Sequence, residues 1–111
     1  MPPGGPPVPE CSFTLEPIHP DPGPPRSWIV RLHAGAGAAP GADQFGTCVV
    51  VSRPGEPQAV DVKSLVFLPG RVYQTAVHRA LRDACRRLGF RRAYYERWEN
   101  GALKYSRVVE L

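Results

Sequence analysis

Residues 72–90, VYQTAVHRALRDACRRLGF, decide the fold of this chain because they carry its strongest periodic pattern. At 100° per residue, apolar and small side chains fall on one broad face, which predicts an amphipathic helix over 72–88. That face consists of Val72, Tyr73, Ala76, Val77, Ala80, Leu81, Ala84, Cys85 and Leu88. Gly89 stands where the chain must turn left-handed to end the helix, and Phe90 is placed for the accompanying hydrophobic contact. We expect one long helix packed closely on a sheet.

Three strands are predicted before this helix. Ser27–Ala34 alternates between apolar and polar positions, and residues 45–52 are rich in β-branched side chains. Residues 59–68 begin by alternating and end as a continuous apolar run, which predicts a central strand covered on both faces in its second half. The glycine- and alanine-rich residues 35–43 connect two strands and open no helix. They therefore predict a hairpin connection and not a phosphate-binding loop.

The end of the chain is predicted to form a β-hairpin. Arg92–Glu99 and residues 102–111 flank Asn100-Gly101, a pair that favours a type I′ turn because both central residues need positive φ. The predicted element order is βββαββ. We therefore expect an α+β fold with a mostly antiparallel sheet of about five strands and one long amphipathic helix packed on it.

The first part of the chain differs in composition from the rest. Residues 1–26 hold 10 of the 14 prolines and too few packable side chains to offset the entropy of ordering. We predict a flexible proline-rich leader over 1–26 and a single α+β domain over 27–111. An apolar patch at 13–15 is suited to pair with a sheet edge, although the neighbouring prolines keep it short. No signal-peptide pattern or membrane-spanning run of roughly 18 apolar residues is present, so we expect a cytoplasmic protein.

The cysteines and histidines predict no metal site or catalytic residue. Cys11, Cys48 and Cys85 are odd in number and far apart, which favours reduced thiols over a disulfide framework. Cys48 and Cys85 fall on a predicted strand and helix, so we expect them in the core, with Cys11 loose in the leader. The three histidines share no metal-ligand spacing with each other or with the cysteines. No cofactor is expected.

Charge is distributed unevenly along the chain. Residues 71–111 carry 10 basic and 4 acidic side chains, whereas residues 1–70 carry 4 and 6. The basic residues on the outer helix face are Arg71, His78, Arg79, Arg82 and Arg86. Guanidinium groups one turn apart can bind successive phosphates or carboxylates, so this face is a candidate binding site. Because arginine outnumbers lysine 12 to 2, as in GC-rich genomes, an ordinary solvated surface is the alternative.

A second, weaker candidate lies on the hairpin. Pairing outward from the turn sets Glu96 opposite Tyr105 and Tyr94 opposite Arg107, which makes Glu96 and Arg107 diagonal neighbours on the apolar face. Half-buried opposite charges beside tyrosines can mark a binding site, formed here by Tyr94, Glu96 and Arg107. A structural ion pair at the end of a sheet explains the same pattern.

The middle of the chain resembles the central half of GNAT acetyltransferases over about 40 residues. The shared features are a strand, a tight turn, a long helix that ends at residues 88–90, and a following strand. The family signature R/Q-x-x-G-x-G/A falls on residues 71–76, RVYQTA, where Arg71 and Ala76 match and Gln74 replaces the first glycine. The resemblance implies acetyl-CoA bound in a cleft between splayed strands. A side chain at Gln74 would block the approach of the pyrophosphate to the backbone.

The sequence therefore predicts a small non-enzymatic binding protein, encoded by a bacterium or a mobile element. It would use its basic helix face and C-terminal hairpin to bind an acidic partner, either nucleic acid or an acidic protein surface. A degenerate GNAT-like acyltransferase is one alternative. The other is a structural or oligomerising module that adds a partner strand at the sheet edge or buries the hairpin face carrying Arg97 and Lys104.

Overall fold

The structure is a computed structural model that describes residues 7–18, 25–39 and 41–111, apart from the side chains at 97 and 98. Its elements are β1 (Cys11–Ile18), β2 (Ser27–Ala34), β3 (Gly46–Arg53), β4 (Glu56–Phe67), α1 (Gln74–Arg87), β5 (Arg92–Glu99) and β6 (Ala102–Glu110). The strands form one sheet in the order β1-β2-β3-β4-β5-β6. The predicted α+β class is confirmed. No helix in the described part of the chain is long and apolar enough to span a membrane.

Helix α1 packs through the face that its periodicity predicts. Val77, Leu81, Ala84 and Cys85 are fully buried, and they join apolar side chains of the sheet in one core. Small residues on this face let the helix axis approach the sheet closely, which favours dense packing. The predicted inner face is therefore confirmed, except that Tyr73 is 48% exposed because it precedes the first helical turn.

The end of α1 also follows the prediction. Gly89 has a φ of +94°, and its N–H donates to the Arg86 carbonyl at 2.9 Å. The N–H of Phe90 donates to the Cys85 carbonyl at 3.1 Å. These two bonds define a Schellman motif, which a left-handed glycine permits. The Phe90 ring then packs edge-on against Trp28, with the ring centroids 5.7 Å apart.

Strand β1 corrects the predicted strand number from about five to six. It pairs antiparallel with β2 along its whole length, and it lies inside the segment 1–26 that was predicted to be a flexible leader. Pro17 is tolerated because β1 is an edge strand, where one side of the ladder needs no backbone donor. Phe13 and Leu15 pack against the core, and burial of these side chains favours strand formation. The predicted leader residues 1–6 and 19–24 lie outside the described residues.

Residues just before β1 are attached to the start of the helix. The N–H of Val8 donates to the Arg71 carbonyl at 3.0 Å, and the Val8 carbonyl accepts from the Tyr73 N–H at 3.2 Å. Cys11, which was predicted to be loose, is half-buried on β1, and burial raises its pKa to about 11. The prediction for Cys11 was wrong because the apolar patch at 13–15 extends into a full strand.

The sheet is mixed, because β4 and β5 run parallel while the other four pairings are antiparallel. Helix α1 connects β4 to β5 as a crossover, and a crossover returns the chain in the same direction. The parallel ladder joins only residues 59–62 to residues 92–95. Beyond it, β4 stays paired with β3 and β5 with β6, so the two strands separate toward their carboxyl ends.

The second half of β4 is not covered on both faces as predicted. Val66 is 68% exposed and Leu68 is 56% exposed, since β5 no longer accompanies β4 there. A bulge places Ser64 and Leu65 opposite Cys48 of β3, and Ser64 has a φ of +54°. A bulge bends and twists its strand, which fits the point where β4 leaves β5.

The turn of the β5–β6 hairpin is the one that its sequence predicts. Asn100 and Gly101 have φ values of +51° and +77°, as a type I′ turn requires. Trp98 lies opposite Leu103 in the backbone register, which also agrees with the prediction.

Beyond that pair the predicted hairpin register is wrong by one residue. Lys104 has no partner on β5, and the ladder resumes with a shifted register. Tyr95, and not Tyr94, therefore lies opposite Arg107, and the partner of Glu96 changes as well. Because side chains alternate between faces, a slip of one residue places predicted neighbours on opposite sides of the sheet.

Candidate functional site

Helix α1 and the β5–β6 hairpin border a cleft of about 450 Å³, which we name the basic cleft. Its wall is one side of α1, and its floor is the helix-side face of the hairpin. The lining residues are Thr75, His78, Arg79, Arg82, Tyr95, Tyr105, Arg107 and Val109. The volume is within the range of small-molecule sites in proteins, roughly 300–1,000 Å³.

Helical spacing and strand register together position the charged groups of this cleft. His78 and Arg82 are four residues apart on α1, so their side chains lie one above the other on the same side of the helix. Arg107 lies directly opposite Tyr95 in the hairpin. The bulge at Lys104 sets this register, so the same irregularity that overturned the predicted pairing also places Arg107 on the floor of the cleft.

The basic cleft carries an excess of positive charge. Arg79, Arg82 and Arg107 line it together, and none of them forms an ion pair with a carboxylate of the described residues. No aspartate or glutamate is among the lining residues. Concave surfaces lined by charge of one sign concentrate the electric field, so this region attracts anions.

Two ionisable groups of the cleft have shifted pKa values. The rings of His78 and Tyr95 meet edge to face with centroids 6.4 Å apart. Burial, followed by the positive charges of Arg82 and Arg107, lowers the pKa of His78. Burial raises the pKa of Tyr95 to about 12. At neutral pH the imidazole is therefore mostly neutral, and the phenol keeps its proton as a hydrogen-bond donor.

The structure brings together three of the five residues predicted on the outer helix face. His78, Arg79 and Arg82 share the basic cleft, whereas Arg71 lines a separate concavity beside β1 and the β2–β3 connection. Arg86 donates to Asp83 at 2.6 Å near the end of α1 and is absent from the cleft lining. The single predicted row of basic groups is thus divided between three surroundings.

Tyr94 and Glu96 lie on the opposite face of the sheet, in a group that we name the Arg53 cluster: Arg53, Glu56, Asp61, Tyr94 and Glu96. Arg53 Nη1 lies 2.9 Å from Asp61 Oδ1 and 3.5 Å from Glu96 Oε1, and its Nε lies 3.5 Å from Glu56 Oε1. Its Cζ stacks 3.8 Å above the centre of the Tyr94 ring. The Tyr94 hydroxyl donates to Glu56 Oε2 at 2.9 Å. These contacts fasten the β3–β4 turn to β5.

The predicted pairing of Glu96 with Arg107 does not form, because the hairpin bulge places the two side chains on opposite faces. Sequence reasoning also missed Tyr95 as a lining residue of the cleft and Arg53 as the partner of Glu96. Correct placement of Tyr95 required the bulge position, and no glycine or proline marks Lys104 as a bulge. Arg53 lies 43 residues from Glu96 in the chain, beyond the reach of local spacing rules.

The buried thiols and the buried histidine are poorly placed for chemistry. Burial raises the pKa of Cys48 to about 12 and that of Cys85 to about 11, so both stay protonated and weakly nucleophilic. His33 is almost fully buried, with Nε2 3.0 Å from the Thr14 hydroxyl and Nδ1 2.8 Å from the Asp43 carbonyl. Within the described residues, no cluster of three or more His, Cys, Asp or Glu side chains is arranged to hold a metal ion.

Comparison with protein-family models, curated proteins and solved structures finds nothing that matches this chain. The chemistry of the basic cleft is therefore the main guide to function. Guanidinium groups bind phosphates and carboxylates through paired hydrogen bonds, and the Tyr95 phenol supplies a further donor. Anion binding is what this arrangement can do best.

Proposed function

We propose that this chain is a small non-enzymatic binding protein that holds an acidic partner in the basic cleft. The observation that carries the proposal is the convergence of Arg79, Arg82 and Arg107 on one concave surface with no carboxylate partner among the described residues. Like charges held close together repel each other, and an anion placed between them removes that repulsion.

The different exposure of the three arginines supports the same proposal. Arg79 and Arg107 are exposed and can adjust to a partner, whereas Arg82 is half-buried between the helix and the hairpin. A charge that is partly shielded from water interacts more strongly with a counter-ion than an exposed one does. Arg82 therefore forms the anchor of the site, and the exposed arginines extend it.

The proposal is tested by binding of the full chain to two polyanions, polyglutamate and oligothymidylate. We expect tight binding at about 50 mM salt and a large loss of affinity by about 200 mM salt. Binding releases counter-ions from the polyanion, and added salt opposes that release. The double variant Arg82→Glu, Arg107→Glu should lower the affinity at least about tenfold.

The matched control is Arg71→Glu, Arg91→Glu, which changes the net charge equally at exposed positions outside the cleft. This control should retain most of the affinity. Equal losses in the two double variants would mean that overall charge, and not the cleft, attracts polyanions. Absence of binding to both polyanions at low salt would overturn the proposed function.

One observation favours a second candidate, the degenerate GNAT-like acyltransferase. The parallel ladder of β4 and β5 ends at Val62 and Tyr95, and the strands then separate, as the resemblance to that family requires. Ligands of open sheets with parallel strands commonly bind in a crevice at the carboxyl ends of those strands. Gln74, where the family has glycine, argues against close approach of a pyrophosphate to the start of α1.

Calorimetric titration with acetyl-CoA tests this candidate. An acyltransferase should bind the cofactor, and Gln74→Gly should strengthen that binding because it opens the backbone at the start of α1. If neither the native chain nor Gln74→Gly binds acetyl-CoA, the acyltransferase candidate is removed.

A further inference from the structure

Within the basic cleft, an exposed aromatic side chain lies beside the guanidinium groups. Tyr105, Arg107 and Val109 are spaced two residues apart along β6. Because side chains in a strand alternate between faces, all three lie on the helix side of the hairpin. Tyr105 is 49% exposed, and it lines the same concavity as Arg79 and Arg82. A flat, accessible ring beside guanidinium groups that have no carboxylate partner in the described part of the chain is more than a simple carboxylate site needs.

The shape of the cleft limits the kind of partner that fits. The space between α1 and the hairpin is a local concavity of about 450 Å³, which accepts a protruding group and not a broad flat surface. In a duplex the bases are paired and stacked, and they are read only by an element that enters a groove. In a single strand the bases are unstacked and can enter a pocket on a protein.

We propose that the basic cleft binds single-stranded nucleic acid, with phosphates on the arginines of α1 and β6 and a base stacked on Tyr105. The proposal rests on the anionic partner proposed above and specifies its chemical class. Basic grooves lined with aromatic rings bind single strands in this way without strong sequence preference. Arg79 and Arg82 are three residues apart, with Cβ atoms about 5–6 Å from each other, so both can contact one strand.

The experiment uses the full chain and fluorescent probes in anisotropy titrations at low salt. The probes are oligothymidylate of about 12 nucleotides, an abasic strand of the same length, oligouridylate, a duplex of the same length, and polyglutamate. We expect the oligothymidylate or oligouridylate to bind more tightly than the abasic strand and the duplex. The ratio of the thymidylate and uridylate affinities distinguishes a DNA partner from an RNA partner.

The decisive variant is Tyr105→Leu, with Tyr73→Leu as its matched control. Tyr73 is 48% exposed, almost the same as Tyr105, but it lies outside the cleft. Tyr105→Leu should weaken oligothymidylate binding about 5- to 150-fold, the range for loss of one stacked base. It should leave binding of the abasic strand unchanged, and Tyr73→Leu should alter neither.

The remaining outcomes separate this inference from the proposed function. Binding of polyglutamate without binding of either single strand would overturn the inference and leave the acidic partner in place as a protein. Equal affinity for the abasic strand and oligothymidylate, or tighter binding of the duplex, would also overturn it. Failure of every probe to bind would overturn both proposals together.

Discussion

Arginines on the two sides of the sheet are in opposite electrostatic situations. On one face, Arg53 contacts the carboxylates of Glu56, Asp61 and Glu96 at 3.5 Å or less and stacks on Tyr94. On the other face, Arg82 lies in the basic cleft with no carboxylate partner among the described residues. Both arginines are partly buried, so exposure alone does not distinguish them.

The difference lies in how each positive charge is balanced. Arg53 has its charge neutralised within the fold, so its contacts contribute to stability and leave little attraction for a ligand. Arg82 shares the cleft with Arg79 and Arg107, so bringing these groups together costs electrostatic free energy. An anion bound between these groups would offset that cost. Paired arginines thus support the fold, and unpaired arginines that converge on a cleft are available for function.

Arg53→Met is expected to have the largest effect, which is a loss of stability. Removing the central cation leaves three carboxylates close together, two of them less than one-third exposed. Loss of charge-assisted hydrogen bonds and the new repulsion should lower the free energy of unfolding and the urea midpoint. Urea denaturation measures this change. Oligothymidylate affinity of the folded variant should stay within about twofold of the native value, because Arg53 lies outside the basic cleft.

A stable Arg53→Met variant that no longer binds oligothymidylate would contradict this distinction between the two arginines. Such a result would mean that the Arg53 cluster takes part in recognition. A second variant, Arg53→Lys, retains the charge but not the planar fork, so it should lose only part of the stability.

Arg82→Met is expected to have a smaller effect of the opposite kind, with stability nearly unchanged and oligothymidylate affinity reduced. No ion pair among the described residues is lost and repulsion is relieved, so the free energy of unfolding should change by less than about 0.5 kcal/mol. Oligothymidylate affinity should fall about 3- to 10-fold, and the slope of affinity against salt should decrease by about one ion. The matched control is Arg86→Met, since Arg86 is paired with Asp83 outside the cleft. Equal salt slopes in the two variants would contradict the assignment of Arg82.

Elements governed by local rules were predictable from the sequence. The buried face of α1, its stop at Gly89 and the turn at Asn100-Gly101 each depend on residues within one or two turns of chain. Their structures agree with the predictions because periodicity and backbone sterics act over that distance. The same holds for Ser27–Ala34, where the predicted bounds and the observed strand coincide.

Features that depend on distant partners were not predictable in the same way. Strand β1 forms because β2 offers an edge to a segment whose prolines disfavour structure in isolation. The parallel pairing of β4 and β5 depends on the path of α1 between them. The bulge at Lys104 has no composition signal, yet it decides which tyrosine faces the cleft. The arginine positions on α1 were therefore predictable, but their division into cleft and non-cleft residues was not.

The smallest expected effect is the pH dependence of stability that His78 causes. The titratable and charged groups that line the cleft with His78 are Arg79 and Arg82 on α1, Tyr95 on β5, and Tyr105 and Arg107 on β6. The pKa of His78 is lowered in the folded chain, so the unfolded chain takes up this proton first as the pH falls. The contribution of neutral His78 to stability is thus complete above about pH 7, and it is lost as the pH falls from about 6.5 through the lowered pKa of the folded chain.

Urea denaturation of the native chain and of His78→Gln, at about pH 7.5 and about pH 5.5, measures this contribution. The native chain should lose more stability than the variant on acidification, because glutamine does not titrate. Bound oligothymidylate should reduce the difference, since phosphates among Arg82 and Arg107 offset the positive charge that opposes protonation of His78. An equal loss in both proteins would show that His78 is not held neutral by its neighbours. A difference that bound oligothymidylate leaves unchanged would place the anion away from His78, and therefore outside the basic cleft.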